Sequence, residues 1–121
     1  MSARARAATA KAVVKASVLR QCAPVFAALG DETRLRLIAV LCAGSAMSIA
    51  QLTAGTAMTR QSVTQHLHVL ASAGLVRDVK VGRERLWAFE PAHVEEARRA
   101  LDAISQQWDQ ALSRLKAMVE Q

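Results

Sequence analysis

The segment that decides the fold is residues 59–89, TRQSVTQHLHVLASAGLVRDVKVGRERLWAF. In its first half, apolar residues recur at steps of four and three, which is the spacing of one buried helix face. Gly74 followed by Leu75 is typical of a Schellman ending. β-Branched and aromatic residues then flank Gly82 and Arg83, the pattern of a β-hairpin with a two-residue tip. The segment therefore predicts a helix followed directly by a hairpin.

Capping signals upstream predict two more helices. Asp31 is a suitable N-cap for the first of them. Ser48 and Gln51 have the spacing of a capping box for a short second helix that ends at Gly55. Thr59 then caps the helix of the deciding segment, after a short turn. Two cap-bounded helices joined in this way, with a hairpin behind them, indicate a mainly α winged helix-turn-helix domain.

The first 20 residues contain five basic residues and no acidic one. We predict a flexible basic arm over residues 1–17 that becomes helical near Val18, although a transit peptide also fits this composition. A short apolar helix around Pro24 to Leu29 follows. Residues 18–121 are predicted to form a single domain of about five helices and a two-stranded wing.

From Pro91 the chain is predicted to form one helix to about residue 120. Its apolar residues alternate steps of three and four, as in a coiled coil. At 1.5 Å per residue this helix is about 40 Å long, more than the width of so small a domain. We therefore expect a homodimer, with a seam buried inside one chain as the alternative. The predicted dimer-interface residues are Val18, Leu101, Ile104, Trp108, Ala111 and Leu115.

The chain has 121 residues and 16 Lys and Arg against 10 Asp and Glu, a formal net charge of +6. This balance favours an acidic partner, either nucleic acid or an anionic membrane surface. No apolar run approaches the ~20 residues that span a bilayer, and no signal peptide is recognisable, so we expect a cytoplasmic protein. Aromatic residues make up only 3% of the chain, which argues against a stacking-based binder of RNA or single strands.

The face of the third predicted helix opposite its apolar side is polar but almost uncharged. Glutamine pairs bidentately with adenine edges, and serine, threonine and histidine hydrogen-bond several bases, so this face suits a major groove. Basic residues, Arg77 among them, flank it where phosphates would lie. The predicted contacts to double-stranded DNA are Thr59, Arg60, Gln61, Ser62, Thr64, Gln65, His68, Lys80, Arg83 and Arg85. The alternatives are an ordinary solvated face and a winged-helix module that docks another protein.

The stretches LGDETRLRLIAVL, SIAQLT, TRQSVTQHLHVLASAGLV and VGRERLWAF resemble the ArsR/SmtB family of bacterial winged-helix repressors, over roughly residues 24 to 118. The resemblance implies a homodimer, held by its first and last helices, that blocks a promoter, with an inverted-repeat operator, until a signal releases it. By position it also implies DNA contacts from Gln61, Ser62, Thr64, Gln65 and the wing near Arg83.

Two metal-ligand patterns of that family are missing here. The Cys-x-Cys stretch at the start of the helix-turn-helix is replaced by residues 46–49, AMSI. Counting from His93 along the last helix reaches Ile104 and Gln107, which do not suit a metal site of that kind. We therefore predict no metal and no other cofactor.

The cysteines, His66 and the aromatic residues of the hairpin are interpreted as structural residues. Cys22 and Cys42 are a candidate redox pair, and their apolar neighbours favour the alternative of two buried, inert thiols. His66 is interpreted as a core-boundary residue with a backbone partner. Trp87 and Phe89 are interpreted as packing residues. With no carboxylate pair, nucleophile–base arrangement or phosphate-binding glycine loop, the sequence predicts no enzyme.

Overall fold

The computed structural model of the protein describes residues 14–120. Five helices and one two-stranded antiparallel sheet follow each other along this part of the chain. They are α1 (Ala16–Leu29), α2 (Glu32–Ala43), α3 (Ile49–Thr53), α4 (Arg60–Ser72), β1 (Val76–Val81), β2 (Glu84–Phe89) and α5 (Ala92–Val119). The predicted winged helix-turn-helix is confirmed, with α3 and α4 as its two helices and the sheet as its wing.

The predicted helix caps are confirmed by their hydrogen bonds. The Asp31 carboxylate accepts a hydrogen bond from the backbone N–H of Arg34 at 3.0 Å. Ser48 and Gln51 form the reciprocal capping box at the start of α3. The Thr59 hydroxyl accepts from the backbone N–H of Ser62 at 3.1 Å, so the start of α4 is fixed by its own sequence.

Two glycines with positive φ set the ends of α4 and of the wing strands. Gly74 has φ +77°, and Leu75 N–H donates to the Leu70 carbonyl, which completes the predicted Schellman motif. Gly82 has φ +63° and stands first in the two-residue tip, while Arg83 keeps a negative φ. This combination is that of a type II′ turn, which matches the twist of a hairpin.

The core lies where α4 meets the wing and the other helices. Val63, Leu67 and Leu70 of α4 are fully buried, as is Leu75 just beyond it. Trp87 of β2 is also buried, and its backbone exchanges two hydrogen bonds with Met47 before α3. The wing is thus attached at its base to both helices of the helix-turn-helix, which restricts its movement relative to α4.

Helix α1 is longer than the sequence indicated. The arm predicted for residues 1–17 lies mostly outside the described residues, but Ala16 already begins α1 and Pro24 lies inside that helix. The expectation of a separate short helix from Pro24 was therefore wrong, whereas the helix begins within two residues of Val18, near which it was predicted to start. The physical reason is that three residues of α1, at steps of three on one face, are buried in the core on both sides of the proline: Cys22, Val25 and Ala28.

The last helix starts one residue later than predicted, because Pro91 is its N-cap rather than its first residue. Its first turns pack against α1 through the buried Ala97 and Ala100. Beyond them the helix continues with its apolar side chains exposed. The large exposed ones are Leu101, Trp108, Leu112, Leu115, Met118 and Val119. An apolar stripe of this length on one chain has no cover among residues 14–120.

Candidate nucleic-acid interface

The exposed face of α4 carries the polar residues predicted for base contact. Gln61, Gln65 and His68 are exposed, and they follow each other at steps of four and three, so they lie along one side of the helix. The opposite side is the buried core of the domain. Three side chains that hydrogen-bond base edges therefore project together from a helix that the core holds in place.

The hydroxyl residues of this helix are partly engaged by its own backbone. Thr59 accepts from Ser62 N–H, and the Thr64 hydroxyl donates to the Arg60 carbonyl at 2.7 Å. Ser62 and Thr64 are half-buried, whereas Thr59 is exposed. A threonine hydroxyl that donates to the backbone still has lone pairs, so Thr64 remains an acceptor for an amino group on a base edge.

Arg60 is the first residue of α4 and is exposed. No acidic residue lies in the first turn of this helix. A cation at a helix N-terminus is electrostatically unfavourable, because the backbone N–H groups there already carry partial positive charge. Arg60 and those N–H groups together form a positive site that a backbone phosphate would neutralise.

The wing strands have a definite register that sorts their charges by face. Asp78 lies opposite Trp87, and Lys80 lies opposite Arg85. Residues directly opposite each other share a face, and so do residues two apart along a strand. Lys80 and Arg85 therefore lie on the face of Trp87, whose ring meets the His68 ring of α4 edge-on at 6.0 Å. This face of the wing adjoins the exposed side of α4.

Arg77 does not belong to that face. It lies on the other side of the wing, opposite Ala88, and pairs with Glu90 at 3.3 Å. The prediction that Arg77 lies beside the polar helix face with the other wing cations was therefore wrong, because strand alternation turns it away. Arg83 is exposed at the tip, and Arg85 forms an ion pair with Asp78 at 3.3 Å, so its charge is partly neutralised.

A polar cluster beneath α4 was missed from the sequence. Arg34 of α2 contacts both the end of α1 and His66 of α4, and Asp31 lies beside them. His66 is half-buried as predicted, but its partners are side chains rather than backbone. The hydrogen bond from the backbone N–H of Arg34 lowers the pKa of the Asp31 carboxyl, and the charge of the Arg34 side chain lowers it further. Asp31 and Arg34 have the spacing of a helix N-cap. That sequence signal predicted the cap but not the contact of these residues with His66.

The two cysteines lie in different environments. Cys22 is buried in the core, whereas Cys42 is exposed on α2, so the expectation of two buried thiols was wrong for Cys42. It was wrong because the neighbours Leu41 and Ala43 are apolar, yet only Leu41 faces inward. Within residues 14–120, no group of three or more His, Cys, Asp or Glu side chains is placed to hold a metal ion. Nor is any helix in that range long and apolar enough to cross a membrane.

The predicted dimer residues fall into two sets. Leu101, Trp108, Ala111 and Leu115 are exposed, and Trp108 keeps 68% of its surface. Ile104 is half-buried, and Val18 is half-buried at a groove of about 360 Å³ between α1 and α5. The exposed set continues as a stripe along the outer half of α5. Exposed apolar surface of this extent is typical of interaction sites.

Known proteins are similar to this chain in sequence and in fold. A helix-turn-helix domain family matches residues 29–79. The chain is 30% identical over 93 residues to the HTH-type transcriptional regulator Rv2034 of Mycobacterium tuberculosis, covering 77% of this chain and 83% of that protein. It is 33% identical over 75 residues to a transcriptional repressor SmtB homolog of Synechocystis, covering 62% of this chain and 56% of the relative.

Solved structures agree with these relatives. An ArsR-like transcriptional regulator from Rhodococcus sp. RHA1 superposes with a TM-score of 0.71 at 35% identity, covering 84% of this chain and 95% of that one. A homodimeric winged helix-turn-helix domain from Mycobacterium bovis has the same fold, with a TM-score of 0.58 at 24% identity over 82% and 88% of the chains. The class is thus a winged helix-turn-helix transcriptional regulator. The chain belongs to the ArsR/SmtB family.

Proposed function

We propose that this chain is a homodimeric repressor that binds a specific sequence of double-stranded DNA and is released by a signal. The observation that carries the proposal is the exposed side of α4, where Gln61, Gln65 and His68 project beside a positively charged wing face. Base edges in a major groove match these side chains, and phosphates on either side match Arg60, Lys80 and the wing tip.

The dimer is proposed from the exposed stripe on α5. This helix has 28 residues, about 42 Å, and the large apolar side chains of its outer half keep between 56% and 76% of their surface exposed in the described chain. A second copy presents the same stripe, and a twofold arrangement covers both at once. Such symmetry presents two α4 helices to one duplex and matches an inverted-repeat operator.

The two sets of contacts have different consequences for binding. Lysine and arginine contacts to phosphates release counterions, so affinity falls steeply as salt rises and is similar on all sequences. Contacts from the glutamines to bases distinguish one sequence from another. The protein acts on promoter DNA in the cytoplasm, and its signal acts without either of the two usual metal sites, whose ligands this chain lacks.

The test is an in vitro selection from random duplexes with the full chain, followed by fluorescence anisotropy at fixed salt. We expect an enriched inverted repeat that binds about 10³-fold or more tightly than random duplex. A preference that disappears in the Gln61→Ala, Gln65→Ala double variant supports base reading by α4. Equal affinity for all duplexes, or no binding, contradicts the proposal and favours the alternative of a protein-docking module.

A further inference from the structure

Arg34 connects three helices. It is carried by α2, and its Nε donates a hydrogen bond to the carbonyl of Ala28 at 2.6 Å, near the end of α1. Its Nη2 donates to the carbonyl of Ala27 at 3.4 Å. Its Nη1 lies 3.5 Å from Nδ1 of His66, on the inner side of α4. One guanidinium thus contacts the end of the helix at the dimer side and the helix at the DNA side.

The contact with α1 is favourable for a specific reason. The last four carbonyls of a helix have no partner inside it, and they carry the negative end of the helix dipole. A guanidinium supplies both a positive charge and several donors in a fixed plane, which a lysine ammonium does not. Arg34 therefore fixes the direction of the end of α1 as well as supplying hydrogen bonds to its carbonyl groups.

The contact with α4 completes the connection. Because a guanidinium only donates, Nδ1 of His66 is the acceptor in any hydrogen bond between these two groups. The Asp31 carboxylate lies 3.9 Å from the same nitrogen and also caps α2. Two charged groups from the start of α2 therefore lie next to His66, a half-buried residue of the recognition helix.

The surface where α1 meets α4 beside Arg34 is partly open. A cleft of about 370 Å³ lies there, lined largely by small side chains of the two helices. Its lining residues are Pro24, Ala27, Ala28, Arg34, Val69, Ser72 and Ala73. Alanines make few interdigitating contacts across a gap of this size. At this open edge Arg34 adds a polar contact between α1 and α4 to the buried core that the two helices share.

We propose that Arg34 is a positioning residue that fixes the angle between α1 and α4, and through it the separation of the two α4 helices in the dimer. The proposal rests on the proposed function, since it concerns how the two half-sites of an operator are spaced. Each base pair added between half-sites rotates one by about 34° around the duplex axis. A rigid dimer rejects such a change, and a dimer that lacks the Arg34 connection tolerates it.

The experiment compares duplexes by fluorescence anisotropy. The first carries the inverted repeat selected with the unaltered protein, the second has two base pairs inserted at its centre, and the third keeps one half-site. We expect the unaltered protein to prefer the first over the second by roughly tenfold or more. In Arg34→Ala this ratio falls toward one, while affinity for the single half-site stays within about twofold.

Arg36→Ala is the matched control, because Arg36 lies two residues away, is exposed and pairs with Glu32 of its own helix. It is expected to keep the spacing ratio. His66→Ala removes only the α4 end of the connection, and it decides the question if Arg34→Ala fails to fold. A spacing ratio unchanged in the folded variants overturns the positioning role. Absence of any sequence preference in the unaltered protein instead overturns the proposed function.

Discussion

Lys80 and Arg85 lie directly opposite each other across the two strands of the wing. Like charges at opposed positions of an antiparallel pair are destabilising, and Asp78 offsets only Arg85, at 3.3 Å. A sheet chosen for stability alone would place an opposite charge or a β-branched residue at one of these positions. The pair adjoins the exposed side of α4, so its unfavourable position is explained by a negatively charged partner outside the chain.

Replacing Lys80 tests separately how the like-charge pair affects the stability of the wing and how it affects DNA binding. Lys80→Thr is expected to raise the free energy of unfolding by about 0.2–1 kcal/mol, because the like-charge contact is removed and threonine suits a strand. The same change is expected to weaken DNA binding on every sequence and to lower the salt slope by about one. Urea unfolding and anisotropy over a salt series measure the two effects.

Arg77→Thr is the matched control on the other face of the wing. It removes an ion pair with Glu90 instead of a like-charge contact. We expect no gain in stability and an unchanged salt slope. A salt slope that falls equally in both variants would show that the wing faces do not differ in their contact with DNA.

Gln65 and Arg83 are expected to make different kinds of contact with DNA. Gln65→Ala should remove about 1–3 kcal/mol of discrimination at one base position, because a bidentate pair to a base edge is lost. Arg83→Ala should weaken specific and random duplexes alike. Anisotropy against the selected repeat and its single-base variants measures both. Equal losses on specific and random DNA for both changes would contradict the roles assigned to them.

Gly74 is required by the backbone and by its neighbour. Its φ of +77° suits glycine, and an added Cβ would overlap the imidazole of His93. Gly74→Ala is therefore expected to cost about 1–3 kcal/mol for the backbone conformation, with a further cost for the overlap. In the His93→Ala background the same substitution should cost less. A double-mutant cycle by urea unfolding checks this, and strict additivity would contradict the contact.

The helix boundaries were predicted best where a capping side chain or a glycine defines them. Asp31, Ser48, Thr59, Gly74 and Gly82 mark elements whose positions follow from local hydrogen bonds and backbone conformation. The start of α1 was not predictable in this way, because no side chain caps it and its extent depends on burial of residues such as Cys22 against other helices. Tertiary packing decided that boundary.

The candidate site was also predictable only in part, because local sequence patterns define some of its geometry and the folded chain defines the rest. Helical periodicity places Gln61 and Gln65 on one exposed side from the sequence alone. Alternation along β1 puts Lys80 and Arg77 on opposite faces, but the sequence alone does not decide which of the two faces adjoins α4. The Arg34 connection joins residues 32 positions apart, Arg34 and His66, so only the folded chain reveals it.

The Asp31 carboxyl is expected to make the free energy of unfolding depend on pH in the acidic range. Its pKa is lowered by the hydrogen bond from Arg34 N–H, so its ionised form stabilises the folded state above the ordinary aspartate pKa of about 3.9. That stability is lost as pH falls through the lowered folded value. The difference in unfolding free energy between the unaltered protein and Asp31→Asn should therefore be constant near neutral pH and shrink below about pH 4. A difference that grows in acid would contradict this sign.

The most direct test is dimethyl sulfate footprinting of the selected inverted repeat, because it reports contact with guanine N7 in the major groove. A dimer paired through α5 is expected to protect two clusters, separated by about 10–10.5 base pairs or a multiple of that. Trp108→Asp, which disrupts the α5 stripe, should remove both clusters together. One isolated cluster from the unaltered protein, or two clusters that survive Trp108→Asp unchanged, would contradict the paired recognition helices.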